Sequence, residues 1–132
     1  MKDGVLFISP SAEEANALSR MLGPAFIPLQ HADSLRRARQ RLEHESFGVI
    51  LTEARLADGR WQDVIDLVEH EHLHSAVIVT DRLADARLWA DALDHGAYDV
   101  LAQPFCCSEV QRVLSNALET PVQLRRPAPL AL

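Results

Sequence analysis

A glutamate closes an apolar run. The run is Phe47-Gly48-Val49-Ile50-Leu51-Thr52, Glu53 ends it, and Ala54-Arg55-Leu56-Ala57-Asp58-Gly59 follows as a loop. A β-branched stretch bounded by a glycine-containing turn is the pattern of a buried strand in a parallel sheet. In open α/β sheets ligands bind in the crevice outside the carboxyl ends of the strands, so Glu53 stands where a reactive carboxylate belongs. Two other clusters carry residue types suited to chemistry. His70, His72 and His74 alternate with Glu69 and Glu71, and His70 and His74 can share a helix face at the i, i+4 spacing of a metal pair. Against this, histidines near a helix C-terminus are favourable for dipole reasons alone. Cys106 and Cys107 are adjacent beside a helix start, where a thiol pKa falls, and plain packing at that start is the competing explanation.

These residues need elements to position them, and the apolar period switches repeatedly along the chain. Val5-Leu6-Phe7-Ile8 is a short continuous apolar run, hence a first buried strand. Ser11 and Glu14 form a Ser-x-x-Glu capping box that opens a helix through Met21-Leu22, and Gly23-Pro24 stops it. Ala25 to Leu29 is expected as the second strand, on a sheet edge because Pro28 lacks an N–H. Ser34 to His44 is a second helix with Leu35, Ala38 and Leu42 inward, and Phe47 to Thr52 is the third strand. A third helix starts near Trp61, which anchors it on the sheet, and carries Val64, Ile65 and Val68. Ala76 to Thr80 is the fourth strand, Asp85 to His95 the fourth helix with Gly96 as its C-terminal cap, and Tyr98 to Ala102 the fifth strand. The last helix runs from about Ser108, a suitable N-cap, to Glu119. Alternating strands and helices imply a parallel sheet covered on both faces with right-handed crossovers.

Composition narrows the function. A chain of 132 residues is one domain by length. A net charge of −6 argues against nucleic-acid binding, and the basic cluster Arg36, Arg37, Arg39 and Arg41 is explained as a solvated helix face. The N-terminus leads straight into a strand, without a signal-peptide pattern, and no run approaches a membrane span. Adjacent cysteines suit no disulfide framework, so the expected setting is a reducing cytoplasm.

Three segments carry a family resemblance. Val49 to Trp61, Val77-Ile78-Val79-Thr80, and Gly96-Ala97-Tyr98-Asp99-Val100-Leu101-Ala102-Gln103-Pro104-Phe105 stand in the order and spacing of the receiver domain of bacterial response regulators, the CheY-like superfamily. The last segment is similar to that family's Gly-Ala-x-x-Tyr-Leu-x-Lys-Pro-Phe. The resemblance covers about residues 1 to 119, with a flexible proline-rich tail expected from 120 to 132. It implies a flavodoxin-like (βα)5 doubly wound α/β fold, a five-stranded parallel sheet of order 2-1-3-4-5 in a three-layer sandwich. It also implies a site. The metal-binding acidic pair falls on Ser9 and Pro10, the phosphoryl-accepting aspartate on Glu53, the phosphate-binding Thr or Ser on Thr80, the lysine on Gln103 and the switch aromatic on Val100. Only Thr80 matches. Asp81, where the family has a small residue, can place a second carboxylate near Glu53, and two close carboxylates share a cation or raise one another's pKa.

The expected function is an atypical receiver acting in two-component or phosphorelay-type signal transduction as a phosphorylation-independent protein-interaction module. Catalysis is not expected, nor a cofactor or a bound Mg²⁺, because transfer relies on metal and cationic charge that these positions lack. Glu53 is then either a solvated strand-end carboxylate or a fixed mimic of the phosphorylated aspartate, with a residual acceptor the weakest reading because the lysine and the acidic pair are missing. The fourth helix has an apolar stripe of Ala86, Trp89, Ala90 and Leu93, and Leu88 and Ala92 widen it. So wide a stripe suggests a second contacted face. The resemblance places partner or dimer contacts on the surface of fourth helix, fifth strand and last helix, here Leu88, Trp89 and Ala92. The partner is a signalling protein or a second copy, with no nucleic acid or membrane. The alternative is an anion or small-ligand sensor using backbone N–H groups, Thr80 and Gln103. An unrecognised enzyme of the same architecture is weakest, since no phosphate-cradling Gly-rich loop appears.

Overall fold

Three strands have both faces apolar, and they form the middle of the sheet. The computed structural model describes residues 4–125. The elements are β1 (Val5–Ile8), α1 (Ala12–Leu22), β2 (Leu29–Ala32), α2 (Leu35–Leu42), β3 (Val49–Glu53), the short pair β4 (Arg55–Leu56) and β5 (Gly59–Arg60), α3 (Trp61–His70), β6 (Ala76–Asp81), α4 (Ala86–His95), β7 (Asp99–Ala102) and α5 (Cys107–Glu119). The main sheet is parallel with order β2-β1-β3-β6-β7. With the β4–β5 hairpin set aside, this is the expected flavodoxin-like order 2-1-3-4-5.

Strand residues alternate between faces, and the packing follows that period of two. Leu6, Ile8, Ile50, Val77 and Val79 pack with Leu35, Ala38, Val64, Ile65 and Val68 of α2 and α3. Val5, Phe7, Val49, Leu51, Ala76 and Ile78 pack with Leu18 and Leu22 of α1 and Val110, Val113 and Leu114 of α5. Each fully buried aliphatic side chain contributes roughly 1.5–3 kcal/mol. Intrinsic helix propensities differ by only about 0.7 kcal/mol per ordinary residue, so the sheet, not propensity, holds these helices. Trp61 is buried in the first cluster, as expected, with its ring edge-on to His95 at 5.4 Å. Gly96 closes α4 at φ +112, a conformation that disfavours any side chain.

Several boundaries differ from expectation. Ala25 belongs to a 3-10 turn, Gly23–Ala25, with Pro24 in its first turn, and Phe26 is left-handed at φ 57 and 91% exposed. The second strand therefore begins only at Leu29, after Pro28 has offered its carbonyl to Val5 N–H. It is nonetheless an edge strand. Helix α5 starts at Cys107, not Ser108, and its N-cap Cys106 makes no capping side-chain bond. Only half of the expected capping box forms. Ser11 Oγ accepts Glu14 N–H at 3.1 Å, but the Ser11 N–H goes to Ser9 Oγ at 3.0 Å, leaving the Glu14 carboxylate for Arg82 at 3.5 Å. Beyond α5, a 3-10 turn at Val122–Leu124 leads to Arg125, whose guanidinium donates to the carbonyls of Leu118, Thr120 and His74. The rest of the expected tail, from residue 126, lies outside the described residues.

The fourth helix is rotated relative to its sequence pattern. Ala92 is fully buried and Leu88 packs on the first cluster, whereas Trp89 and Leu93 are the exposed apolar residues. Leu88 and Ala92 form the inward i, i+4 pair, and Ala92 is small enough for close approach. Ala92 therefore does not lie on a contact surface, and of the three residues expected there only Trp89, at 40%, is exposed. Overpacking a filled site costs about 1–3 kcal/mol, so Ala92→Leu should lower stability by that amount, while Ala90→Leu on the exposed face should stay within about 0.5 kcal/mol. Urea unfolding of both variants checks this; equal losses would refute the rotation.

Candidate functional site

The parallel register brings the strand ends side by side. Ile8 pairs with Thr52, Glu53 with Thr80, and Asp81 with Ala102. The Gln103 N–H donates to the Asp81 carbonyl at 3.1 Å and the Ala54 N–H to the Thr80 carbonyl at 2.9 Å. Ser9, Glu53, Thr80, Asp81 and Gln103 thus share the carboxyl end of the sheet. Ser9, Thr80 and Gln103 are buried, Glu53 and Asp81 are half-buried, and Pro10 is exposed. Val100 is buried in the sheet-side core and carries no ring to swing.

Ser9 is the organising residue. Its hydroxyl donates to Glu53 Oε2 at 2.5 Å and accepts the Ser11 N–H, its carbonyl accepts the His31 Nε2–H at 2.7 Å, and its own N–H goes to the Ala32 carbonyl. Since a carbonyl only accepts, His31 carries a proton on Nε2. Sequence reasoning had weighed Ser9 only for its missing charge. A serine two residues before an N-cap serine is the signal that was available.

The crevice is poor in positive charge. Among the described residues no hydrogen bond or ion pair joins Glu53 to a basic side chain. Arg82, the residue after β6, is paired with Glu14 of α1. That pair joins the segments following the two strands that flank β3, and nothing in the sequence pattern announced it. Two buried polar atoms, Thr80 Oγ1 and Gln103 Nε2, have no protein partner. The donor set does not fit the Mg²⁺ that receiver chemistry uses. Pro10 offers no side-chain oxygen, and the Ser9 hydroxyl is committed to Glu53. Among the described residues no group of three His, Cys, Asp or Glu side chains is arranged to hold a metal ion, the His70–His74 segment included.

Two features adjoin the crevice. A groove of about 670 Å³ runs beside β2 and α2, lined by Pro10, His31, Asp33, Arg37, Arg41 and Glu45 among others. It meets the site through His31 and Ser9. The turn after Glu53 is pinned to α2, because Asp58 accepts the Leu35 N–H at 2.8 Å and the Arg36 N–H at 3.0 Å. The Leu35 N–H does most to hold the Asp58 carboxyl below its ordinary value, with Arg36 adding to it against the opposing effect of desolvation.

Comparison with known proteins follows the same lines. No family model matches the chain. The response regulator protein PilR of Pseudomonas aeruginosa is 25% identical over 122 residues, which is 92% of this chain and 26% of that protein. The chain thus spans about a quarter of its relative. The signal receiver domain of a LuxO repressor protein from Vibrio parahaemolyticus superposes with a TM-score of 0.84 at 20% identity, over 90% of this chain and 92% of that one. The beryllofluoride-activated NtrC4 receiver domain, a dimer in solution, gives 0.80 at 25% identity, over 87% and 95%. The fold is that of a response-regulator receiver domain. Among the described residues of this receiver-type domain, no helix is long and apolar enough to cross a membrane.

Two measurements test the site. Ser9→Ala removes the Glu53 donor and the Ser11 acceptor together, and should cost about 1–3 kcal/mol. A double-mutant cycle with Glu53→Gln should show coupling; additivity within about 0.3–0.5 kcal/mol would mean the Ser9–Glu53 bond is not formed in solution. The Asp58 carboxyl has a folded-state value below its unfolded value of about 3.9. Its capping contribution is therefore complete above that value and lost as pH falls through the lower folded-state value. Asp58→Ala should lower the melting temperature at neutral pH, with the gap to wild type narrowing in strong acid.

Proposed function

We propose that this domain is a protein-interaction module of two-component-type signalling whose state is set without phosphoryl transfer. The observation that carries this is the Ser9–Glu53 hydrogen bond. At the acceptor position a carboxylate one methylene longer than aspartate is already engaged by a hydroxyl, and the lysine position is an uncharged, buried Gln103. Transfer to a carboxylate needs metal and cationic stabilisation of the moving phosphoryl group, and these residues supply neither. On this reading Glu53 holds a fixed negative charge in place of a transient one, and the module is not an enzyme. A carboxylate brings one charge where a phosphoryl group brings nearly two. The output surface is the exposed side of α4 with Trp89 and Leu93, facing a signalling protein or a second copy. The dimeric state of the related NtrC4 receiver supports such use of a receiver surface.

Incubation with acetyl phosphate and Mg²⁺, followed by intact mass measurement, should leave the wild-type chain unmodified. A stable, acid-labile gain of one phosphoryl group on Glu53 would sink the proposal. The fixed-charge role has its own readout in amide NMR spectra of Glu53→Gln. Shifts should reach Thr80 and residues 100–102; changes confined to Ser9 and residues 52–54 would make Glu53 merely tolerated.

A second reading, a sensor of a small ligand in the same crevice, is favoured by one observation. Thr80 Oγ1 and Gln103 Nε2 are buried without protein partners, and such atoms gain from any group that satisfies them. A melting-temperature panel of small anions and metabolites should then contain a stabiliser whose effect disappears in Gln103→Leu. A flat panel counts against it.

A further inference from the structure

Of the four clustered arginines of α2, Arg37 and Arg41 line the groove beside β2, and Arg36 and Arg39 do not. At about 670 Å³ this groove has the size of a small-molecule site, roughly 300–1,000 Å³. Arg37, Gln40 and Arg41 reach it from one side of α2 at spacings i, i+3 and i+4, and His44 joins them from the turn after the helix. All four side chains carry N–H donors. Their charges are unevenly matched. Arg41 donates to Gln30 Oε1 and stands 3.8 Å from Glu45, which also accepts the Gln30 Nε2–H at 3.1 Å. Gln30, Arg41 and Glu45 thus satisfy one another at one end. Arg37 and Asp33 differ. Among the described residues neither side chain has a hydrogen bond or an ion pair, although both line the same groove. His31 adds a third open group, because its Nε2–H is given to the Ser9 carbonyl and its Nδ1 has no protein partner.

We propose that this groove binds a phosphorylated sugar, free or as part of a mononucleotide, with the phosphate on Arg37 and sugar hydroxyls on Asp33. A guanidinium without an acidic partner calls for an oxyanion, and its fork of N–H groups matches a phosphate. An unpaired carboxylate calls for a donor, and hydroxyls supply one without a second positive charge. A bare phosphate would meet Asp33 as a like charge, whereas a sugar phosphate brings both matching groups on one small molecule. Gln40 and His44 stand beside Arg37 as further donors, and Pro10 and Ala12 offer apolar surface for the carbon skeleton. The site is separate from the strand-end crevice but joined to it. His31 holds the Ser9 carbonyl, and the Ser9 hydroxyl holds Glu53, so a ligand beside His31 is one residue away from the Ser9–Glu53 bond.

Amide NMR titration of the full chain at constant ionic strength tests this, with glucose 6-phosphate, adenosine monophosphate, inorganic phosphate and glucose as probes. Saturable shifts are expected at residues 31–33 and 37–44 with a sugar phosphate, reaching Ser9 and Glu53, and whether the free sugar phosphate or the nucleotide binds tighter identifies the source. Arg37→Gln should weaken that binding at least about tenfold, the loss expected for a charged hydrogen bond. Arg39→Gln, off the groove, should change it by less than about twofold, since a remote exposed charge is screened. Asp33→Asn should weaken the sugar phosphate and tighten inorganic phosphate. Absence of saturable shifts with both sugar phosphates, equal losses in Arg37→Gln and Arg39→Gln, inorganic phosphate or glucose binding as tightly as the sugar phosphates, or shifts that stop short of Ser9 would each overturn the assignment.

Discussion

A strand that is apolar on both faces must be covered on both sides, and here three adjacent strands are of that kind. Val5–Ile8, Ile50 and Leu51, and Val77–Val79 are all fully buried, alternately against α2–α4 and against α1 and α5. Parallel pairing with helical crossovers is the arrangement that buries such strands completely. Its register is not free, since a slip of one residue would exchange the two faces of a strand. The same register sets Ile8 beside Thr52 and Glu53 beside Thr80, so the residues just past the strand ends meet as a consequence of the core.

What those residues do there is decided by charge. A buried or half-buried carboxylate keeps its charge only where donors or cations replace water. In this crevice the Ser9 hydroxyl serves one oxygen of Glu53, while the guanidinium of Arg82, which follows β6, is held by Glu14. On the proposed reading, Gln103 at the lysine position is a donor without charge, and Ser9 at one acidic position brings no repulsive charge next to Glu53. With the Ser9 hydroxyl as its donor, that oxygen of Glu53 is satisfied without a metal ion.

Most of the fold was legible because it is written in periods. Short continuous apolar runs marked the strands, and the serine N-caps at Ser11 and Ser34 and the glycine cap at Gly96 marked helix ends. Two misreadings have physical causes. The segment Ala25 to Leu29 is apolar enough for a strand, but Pro24 seeds a 3-10 turn and leaves Phe26 in solvent. In α4 the apolar residues wrap too far around the helix for composition to choose the inward side, and it is the small Ala92, not the large Trp89, that is fully buried. The positions of the site residues followed from strand order, but their contacts did not. The Ser9–Glu53 and Arg82–Glu14 pairs join residues 44 and 68 apart in sequence, and no local pattern encodes them.

A switch responds only to a ligand that binds one of its states better than the other. In a phosphorylated receiver that ligand is the phosphoryl group, whose charge appears and disappears. If Glu53 is a permanent charge, it interacts with the crevice in every molecule and supplies no time-dependent difference. The balance between conformations must then be set by contacts that can still change. The exposed face bearing Trp89 and Leu93 is one, since a partner bound there favours whichever position of α4 fits it. Helix α4 is suited to this because its buried side contributes few large residues. Ala92 is its one fully buried residue, with Leu88 only partly buried. Moving a helix that buries little apolar area costs little, at roughly 25 cal/mol per Å². On the proposed reading, a crevice without phosphoryl transfer need not freeze the domain, because control then passes from the crevice to the α4 surface.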